Sequence, residues 1–251
     1  MTTRLEQVTA ELRRVLALAE APEFIWQDKI QDDAPLWGFN QIRTDYPSDS
    51  ITRVPNPAGA GFCLRHESDL SFSGAGARAQ VGVYGNADVD AATVEGCSFE
   101  QECYLPEALS ANGDPYSWLS LQDIHVLDAD HTNRSYLGLL VEQDGSMKAS
   151  LRWGGVLYKV NRDFGTKPPV STIPLPVGRW FKIKTYFKRS LEPTTVRVWL
   201  DDELALEWIG AINSLPTNTV TEYYVKLYGG VQRDNPWGKV VRYSRNARIY
   251  T

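Results

Sequence analysis

Residues 178–208 read GRWFKIKTYFKRSLEPTTVRVWLDDELALEW. Within 180–188, Trp180, Phe181, Ile183 and Phe187 are interleaved with Lys182, Lys184, Thr185 and Lys188. In 195–200, Val196 and Val198 fall on one face of an extended chain, and Arg197 and Trp199 fall on the other. Asp201-Asp202 then joins this run to 203–208 in a hairpin-like arrangement. Aromatic and β-branched residues at a two-residue period mark strands with one face buried.

The same texture extends outward from residue 22. Further short runs lie at 61–65, 78–84, 97–104, 117–127, 136–142, 147–153, 156–160, 222–228 and 240–250, separated by Gly, Pro, Asn and Asp clusters. Asp144-Gly145, between two of these runs, is a strong hairpin signal. About a dozen strands at short spacing, with no strand–helix–strand rhythm, predict an all-β, two-sheet antiparallel sandwich. The 251 residues suffice for a single domain of this kind over 22–251. With 43% hydrophobic and 23% charged residues, disorder is excluded as the main state. No apolar run is long enough for a membrane-spanning helix.

Residues 3–20 form the one convincing helix, closed by Pro22. Leu5, Val8, Leu12, Val15 and Ala19 make a heptad stripe. That stripe either packs on the domain or joins copies of the chain, so 1–21 is a candidate oligomerisation segment. The charged start is not a signal peptide, so the chain is expected to remain where it is made unless another route exports it. Cys63, Cys97 and Cys103 lack the pattern of a disulfide framework or a zinc site and are expected to be small buried side chains.

The net charge of −5 hides an asymmetry: residues 1–150 carry 10 Lys/Arg and 23 Asp/Glu, whereas 151–251 carry 16 and 8. A cationic half can attract an anionic ligand. Nucleic acid is disfavoured, because the basic residues are not interleaved with aromatics in an RNA-binding pattern. His66, His125 and His131 are the only histidines, and no HExxH, GxSxG or P-loop is present. No cofactor is expected. Asp123, Asp128 and Asp130, near Asn133, are oxygen donors that could hold a structural calcium, but they do not match a helix–loop–helix calcium loop and suit a solvated loop better.

Three segments carry candidate chemistry. Arg65 and Glu67 share a strand face and would form an ion pair or clamp a carboxylate. Gln122 and His125 stand in the otherwise apolar run WLSLQDIHV (118–126). In EYYVKLYGGVQ (222–232), Tyr224, Lys226 and Tyr228 fall on one face. Each also has a plain structural reading, as a surface ion pair, a core histidine or sheet aromatics.

An R-x-E strand, then a Gln–His strand, then a late Y-x-K strand resembles the concanavalin-like jelly-roll polysaccharide lyases, the group that includes alginate, glucuronan and heparin lyases. Residues 178–208 and 240–250 resemble stretches of the same sandwiches, and the similarity runs over roughly 24–251. The resemblance implies a jelly roll acting on an acidic polysaccharide by β-elimination. Arg65 and Gln122 would stabilise the enolate-like intermediate, and His125 or a tyrosinate would remove the C5 proton. Tyr228 would protonate the leaving oxygen. Lys226, Glu67, Tyr224 and Arg233 would contact substrate. Elimination would require Arg65, Gln122, His125, Lys226 and Tyr228 to converge on one concave sheet face.

This sequence departs from that pattern. The family spacing is Q-x-H, whereas Gln122 and His125 are three apart and face opposite sides unless a bulge intervenes. Tyr224 stands where the family's late lysine is expected, and Asp69 replaces the second arginine of the first motif. A non-enzymatic, oligomeric surface or virion protein on the same fold is therefore the rival expectation, for which the heptad stripe would suit a trimer. A lectin-like module with Trp118, Trp153 or Trp199 stacking on sugars is the third.

Overall fold

The computed structural model describes residues 24–69, 77–109, 118–128, 134–142, 146–154, 169–189, 193–210, 219–230 and 238–251. Among these residues, fifteen strands and one α-helix follow in chain order. They are β1 (Phe24–Gln27), β2 (Gln41–Thr44), β3 (Ser50–Pro55), β4 (Phe62–Asp69), β5 (Ala77–Val83), α1 (Ala87–Glu95), β6 (Cys97–Tyr104), β7 (Trp118–Asp128), β8 (Arg134–Val141), β9 (Lys148–Gly154), β10 (Val170–Pro174), β11 (Trp180–Lys188), β12 (Thr194–Leu200), β13 (Glu203–Gly210), β14 (Thr219–Gly230) and β15 (Lys239–Tyr250).

Every pairing is antiparallel. The first sheet runs β13-β12-β11-β6-β15-β4-β3, with β1 also on β15, and the second runs β10-β9-β8-β7-β14-β5-β2. This is the jelly-roll sandwich expected from the alternating runs. In β11 the alternation is read directly: Phe181, Ile183, Thr185 and Phe187 are buried, and the lysines between them are not. Phe181, Ile183 and Phe187, with Phe99, Val196, Val198 and Ile249, form one apolar core with Val81, Leu121, Ile124, Leu139 and Val225 of the second sheet. Each such side chain contributes about 1.5–3 kcal/mol relative to exposure.

Asp201 and Asp202 take left-handed φ values of 50° and 68° in the β12–β13 turn, as a tight hairpin requires. The short strands β1, β2, β3 and β10 carry no clear alternation and were not anticipated. Nor was α1. It is signalled only by Asn86, whose side chain accepts from the Asp88 and Val89 amides, by Asp88 and Asp90 in the first turn, and by Gly96 at φ 107° after the last. The expected helix at 3–20, its heptad stripe, the run 156–160 and the Asp144-Gly145 turn lie outside the described residues. Cys63, Cys97 and Cys103 are buried free thiols.

Candidate active site

The outer face of the second sheet, the side turned away from the first sheet, carries a polar cluster over β5, β7 and β14. Along β14, Tyr223, Val225 and Leu227 enter the apolar core, so Glu222, Tyr224 and Lys226 take the opposite face. On β7, Ile124 and Val126 point inward, leaving Asp123 and His125 on the outer face. Direct register pairs Glu222 with His125 and Tyr224 with Asp123. On the other side of β14, Gly82 pairs with Tyr224, Gln80 with Lys226 and Arg78 with Tyr228. Position 228 therefore falls on this same face.

The side chains form a continuous chain of contacts. Lys226 Nζ is ion-paired with Asp123 Oδ2. Ser120 Oγ donates to Asp123 Oδ1 at 2.6 Å. His125 places Nε2 3.2 Å from Asp123 Oδ2 and Nδ1 3.1 Å from Glu222 Oε2. Tyr224 donates its hydroxyl to Glu222 Oε2 at 2.8 Å, and its ring meets His125 at a centroid distance of 4.8 Å. Asp123, Glu222, Tyr224, Lys226 and Gln80 are all buried, whereas His125 keeps 12% side-chain exposure. Burial pushes the Asp123 carboxyl up, but the Lys226 ammonium and the His125 contacts outweigh it and hold the group below the usual carboxylate range.

Two mid-strand glycines make room for the row. A Cβ on Gly82 would lie 2.5 Å from the Tyr224 ring, and one on Gly138 would lie 2.7 Å from Leu140 Cδ1 and 3.0 Å from Asp123 Oδ1. The Gly82 contact is with a ring packed in the sheet, so the ring must move. Gly82→Val is expected to displace Tyr224 from Glu222 while the sandwich survives. Loss of the Tyr224–Glu222 hydrogen bond in a crystal structure of the folded variant is the check, and an unmoved ring would refute it.

Of the residues singled out by sequence, His125, Tyr224 and Lys226 come together here. Arg65 and Glu67 do not join them. They are ion-paired to each other on the outer face of the first sheet, because β4 sends Leu64 and His66 inward. Gln122 is also elsewhere. It points between the sheets, accepting from Thr185 Oγ1 at 2.7 Å and donating to Tyr223 Oη at 3.2 Å. A bulge does occur in β7, but at Ser120–Gln122, before rather than between Gln122 and His125. It turns Leu121 and Gln122 both inward and leaves the three-residue step to His125 uncorrected. Asp123, two residues before His125, takes the place that the resemblance gave to Gln122. Arg233 lies outside the described residues, as do Asp130, His131 and Asn133, and the side chains of Tyr228, Trp118, Trp153 and Asp128 are not described. Trp199 sits on the outer face of the first sheet, with Lys184 Nζ 4.9 Å from its ring centroid. Among the described residues no group of three or more His, Cys, Asp or Glu is arranged to hold a metal.

Sequence reasoning missed Arg78, Gln80, Glu222 and Ser120, and it took Asp123 for a loop oxygen donor, whereas Asp123 is buried in β7 against Ser120, His125 and Lys226. Arg78-x-Gln80 has the same two-residue spacing as Arg65-x-Glu67, and only the pairing of β5 with β14 distinguishes them. Arg78 donates through Nε to Asp45 Oδ2 at 2.5 Å and keeps 16% side-chain exposure.

The architecture is that of concanavalin-like jelly rolls. The structure is similar to an endo-β-1,4-glucuronan lyase from the fungus Trichoderma reesei, with a TM-score of 0.64 at 11% identity over 91% of this chain and 96% of that one. It is also similar to an alginate lyase from a Chlorella virus, with a TM-score of 0.55 at 8% identity over 91% of this chain and 100% of that one. A Clostridium perfringens endo-β-galactosidase that releases GlcNAcα1-4Gal matches with a TM-score of 0.56 at 10% identity, over 92% of this chain and 63% of that one. No protein-family model matches the chain. Sequence comparison with curated proteins likewise gives no match. The similar structures thus share the fold and include both lyases and a glycosidase, so the chemistry has to be argued from side chains.

Proposed function

We propose that this protein binds an acidic polysaccharide along the outer face of the second sheet and cleaves it by β-elimination. The observation that carries this reading is the grouping of His125, Tyr224 and Lys226 on one face, with Arg78 on the neighbouring strand at the register position of Tyr228. Elimination next to a uronate needs a cation for the carboxylate, a base for the C5 proton and an acid for the leaving oxygen. Arg78 supplies the cation in place of Arg65. His125 supplies the base, since its ring reaches the surface of an otherwise buried cluster. Its two nitrogens face the Asp123 and Glu222 carboxylates, so the ring takes up the C5 proton once bound substrate has displaced one of these contacts. Tyr228 supplies the acid.

One observation favours a second reading. Asp123 and Glu222 are two carboxylates on the same face, the inventory of a glycoside hydrolase. A panel of uronate-containing and neutral polysaccharides separates the readings. Elimination gives an ultraviolet-absorbing unsaturated uronate at each new non-reducing end, and hydrolysis gives reducing ends without it. We expect the unsaturated product, and a loss of about a thousandfold in kcat for His125→Ala in a folded protein. Reducing ends alone would transfer the site to the carboxylate pair, and binding without either product would make this a glycan-binding protein.

A further inference from the structure

Arg242, on β15 of the first sheet, is fully buried at 0% exposure and points between the sheets. Its Nη1 donates to Leu121 O at 2.5 Å and to Lys226 O at 2.7 Å, and its Nη2 donates to Gln101 Oε1 at 2.7 Å. Both carbonyls belong to the second sheet, at the place where its ladder is interrupted. The β7–β14 register shifts between Val225 and Tyr228, and the β7–β8 register shifts between Ser120 and Gln122. A register shift leaves carbonyls without a ladder partner, and a buried unpaired carbonyl costs about 1–3 kcal/mol. The guanidinium reaches across the sandwich and satisfies these two. Gln101 reinforces the contact, with Nε2 3.4 Å from Leu121 O.

The two carbonyls sit directly behind the outer cluster. Lys226 carries one of them on its own backbone, and the bulge beginning at Ser120 turns both Ser120 and Asp123 outward, three residues apart. The geometry points to Arg242 as a positioning residue: a clamp on the β7–β14 bulge that holds Ser120, Asp123 and Lys226 in one outward-facing set from the opposite sheet. This role rests on the proposed reaction only for its catalytic consequence; the clamp is a property of the fold. A lysine can keep the charge and reach one carbonyl. It lacks the fork that reaches both carbonyls and Gln101.

Arg242→Lys, Arg242→Met and Gln101→Leu are compared with the full-length wild type in two measurements. The first is polysaccharide cleavage, resolved into kcat and KM. The second is the pH titration of the His125 imidazole by NMR, which reads the Asp123–Lys226–His125 contacts whether or not the protein is an enzyme. In folded Arg242→Lys we expect kcat to fall about 100-fold with KM within about threefold, since misplacement of about 1 Å costs that much. The His125 titration should move as Asp123 slackens from Lys226. Gln101→Leu should show the same shift in smaller measure, and it carries the test if both Arg242 variants fail to fold. An unchanged His125 titration in a folded variant would overturn the clamp. A wild type without cleavage but with a shifted titration in the variants would sink the proposed reaction and leave the clamp standing.

Discussion

Lys226→Met should cost about 3–5 kcal/mol of unfolding free energy at neutral pH, the largest loss expected from any single change on the outer face. Lys226 and Asp123 keep only 1% and 6% side-chain exposure. Removing the ammonium leaves a carboxylate buried against Ser120 and His125 without its main counter-charge. The cost belongs to the orphaned charge and not to the ion pair, so Asp123→Asn combined with Lys226→Met should recover much of it. Asp123 is held below its ordinary range in the native protein. Its contribution is therefore present above the unfolded carboxylate value and lost as pH falls below it. The penalty of Lys226→Met should accordingly shrink on acidification, when Asp123 takes up a proton. Denaturant titrations of the two single variants and the double variant decide the matter. A loss below about 1 kcal/mol for Lys226→Met would mean that water reaches Asp123.

The second large effect lies on the inner side. His66 is fully buried, with Nδ1 3.1 Å from Ala79 O and Nε2 2.8 Å from Ser244 Oγ. The carbonyl can only accept, so Nδ1 carries the hydrogen and Nε2 accepts from the serine. Burial, reinforced by the nearby Arg242 charge, lowers its pKa from 6.5 to about 3. The unfolded chain therefore binds a proton that the native state refuses, and stability falls as pH drops from 6.5 toward 3. Such a shift is on the order of 4 kcal/mol over the whole window. Asp28, whose carboxyl burial raises to about 6, works in the opposite sense, losing stability as pH rises from 3.8 to 6. The difference between wild type and His66→Asn isolates the histidine. We expect the variant to be less stable at pH 7 and the gap to close steadily on acidification. A gap independent of pH would show that His66 is not the acid-sensitive element.

The fold was legible where strands of the first sheet bury one face only. Lys182, Lys184 and Lys188 between apolar neighbours give β11 away, and the same holds for β12. Strands β2 and β3 are short and mostly half-exposed to exposed, so no alternation marks them. The site was legible only in part, for a reason of register. Tyr224, Lys226 and Tyr228 share a face by local period two, and any strand would place them so. Whether Arg65 or Arg78 joins them depends on which strand lies beside β14, a pairing between segments some 150 residues apart. The choice between Gln122 and Asp123 turned on a bulge inside an apolar run, where one extra residue moves every later side chain to the other face. Arg242 is one cation of the basic half 151–251, and nothing local in the sequence shows that it faces inward.

The order in which strands are made has a consequence for how the molecule comes into being. The two last strands, β14 and β15, do not sit at edges: β14 separates β7 from β5, and β15 separates β6 from β4. During synthesis each sheet therefore waits as two disconnected halves, with long open ladders, until β14 and β15 emerge. Vectorial, piece-by-piece folding is denied to this topology. The nascent chain has to be kept from sticking to its neighbours until these two strands arrive, and a ribosome that stalls shortly before residue 219 releases a chain with no middle to either sheet.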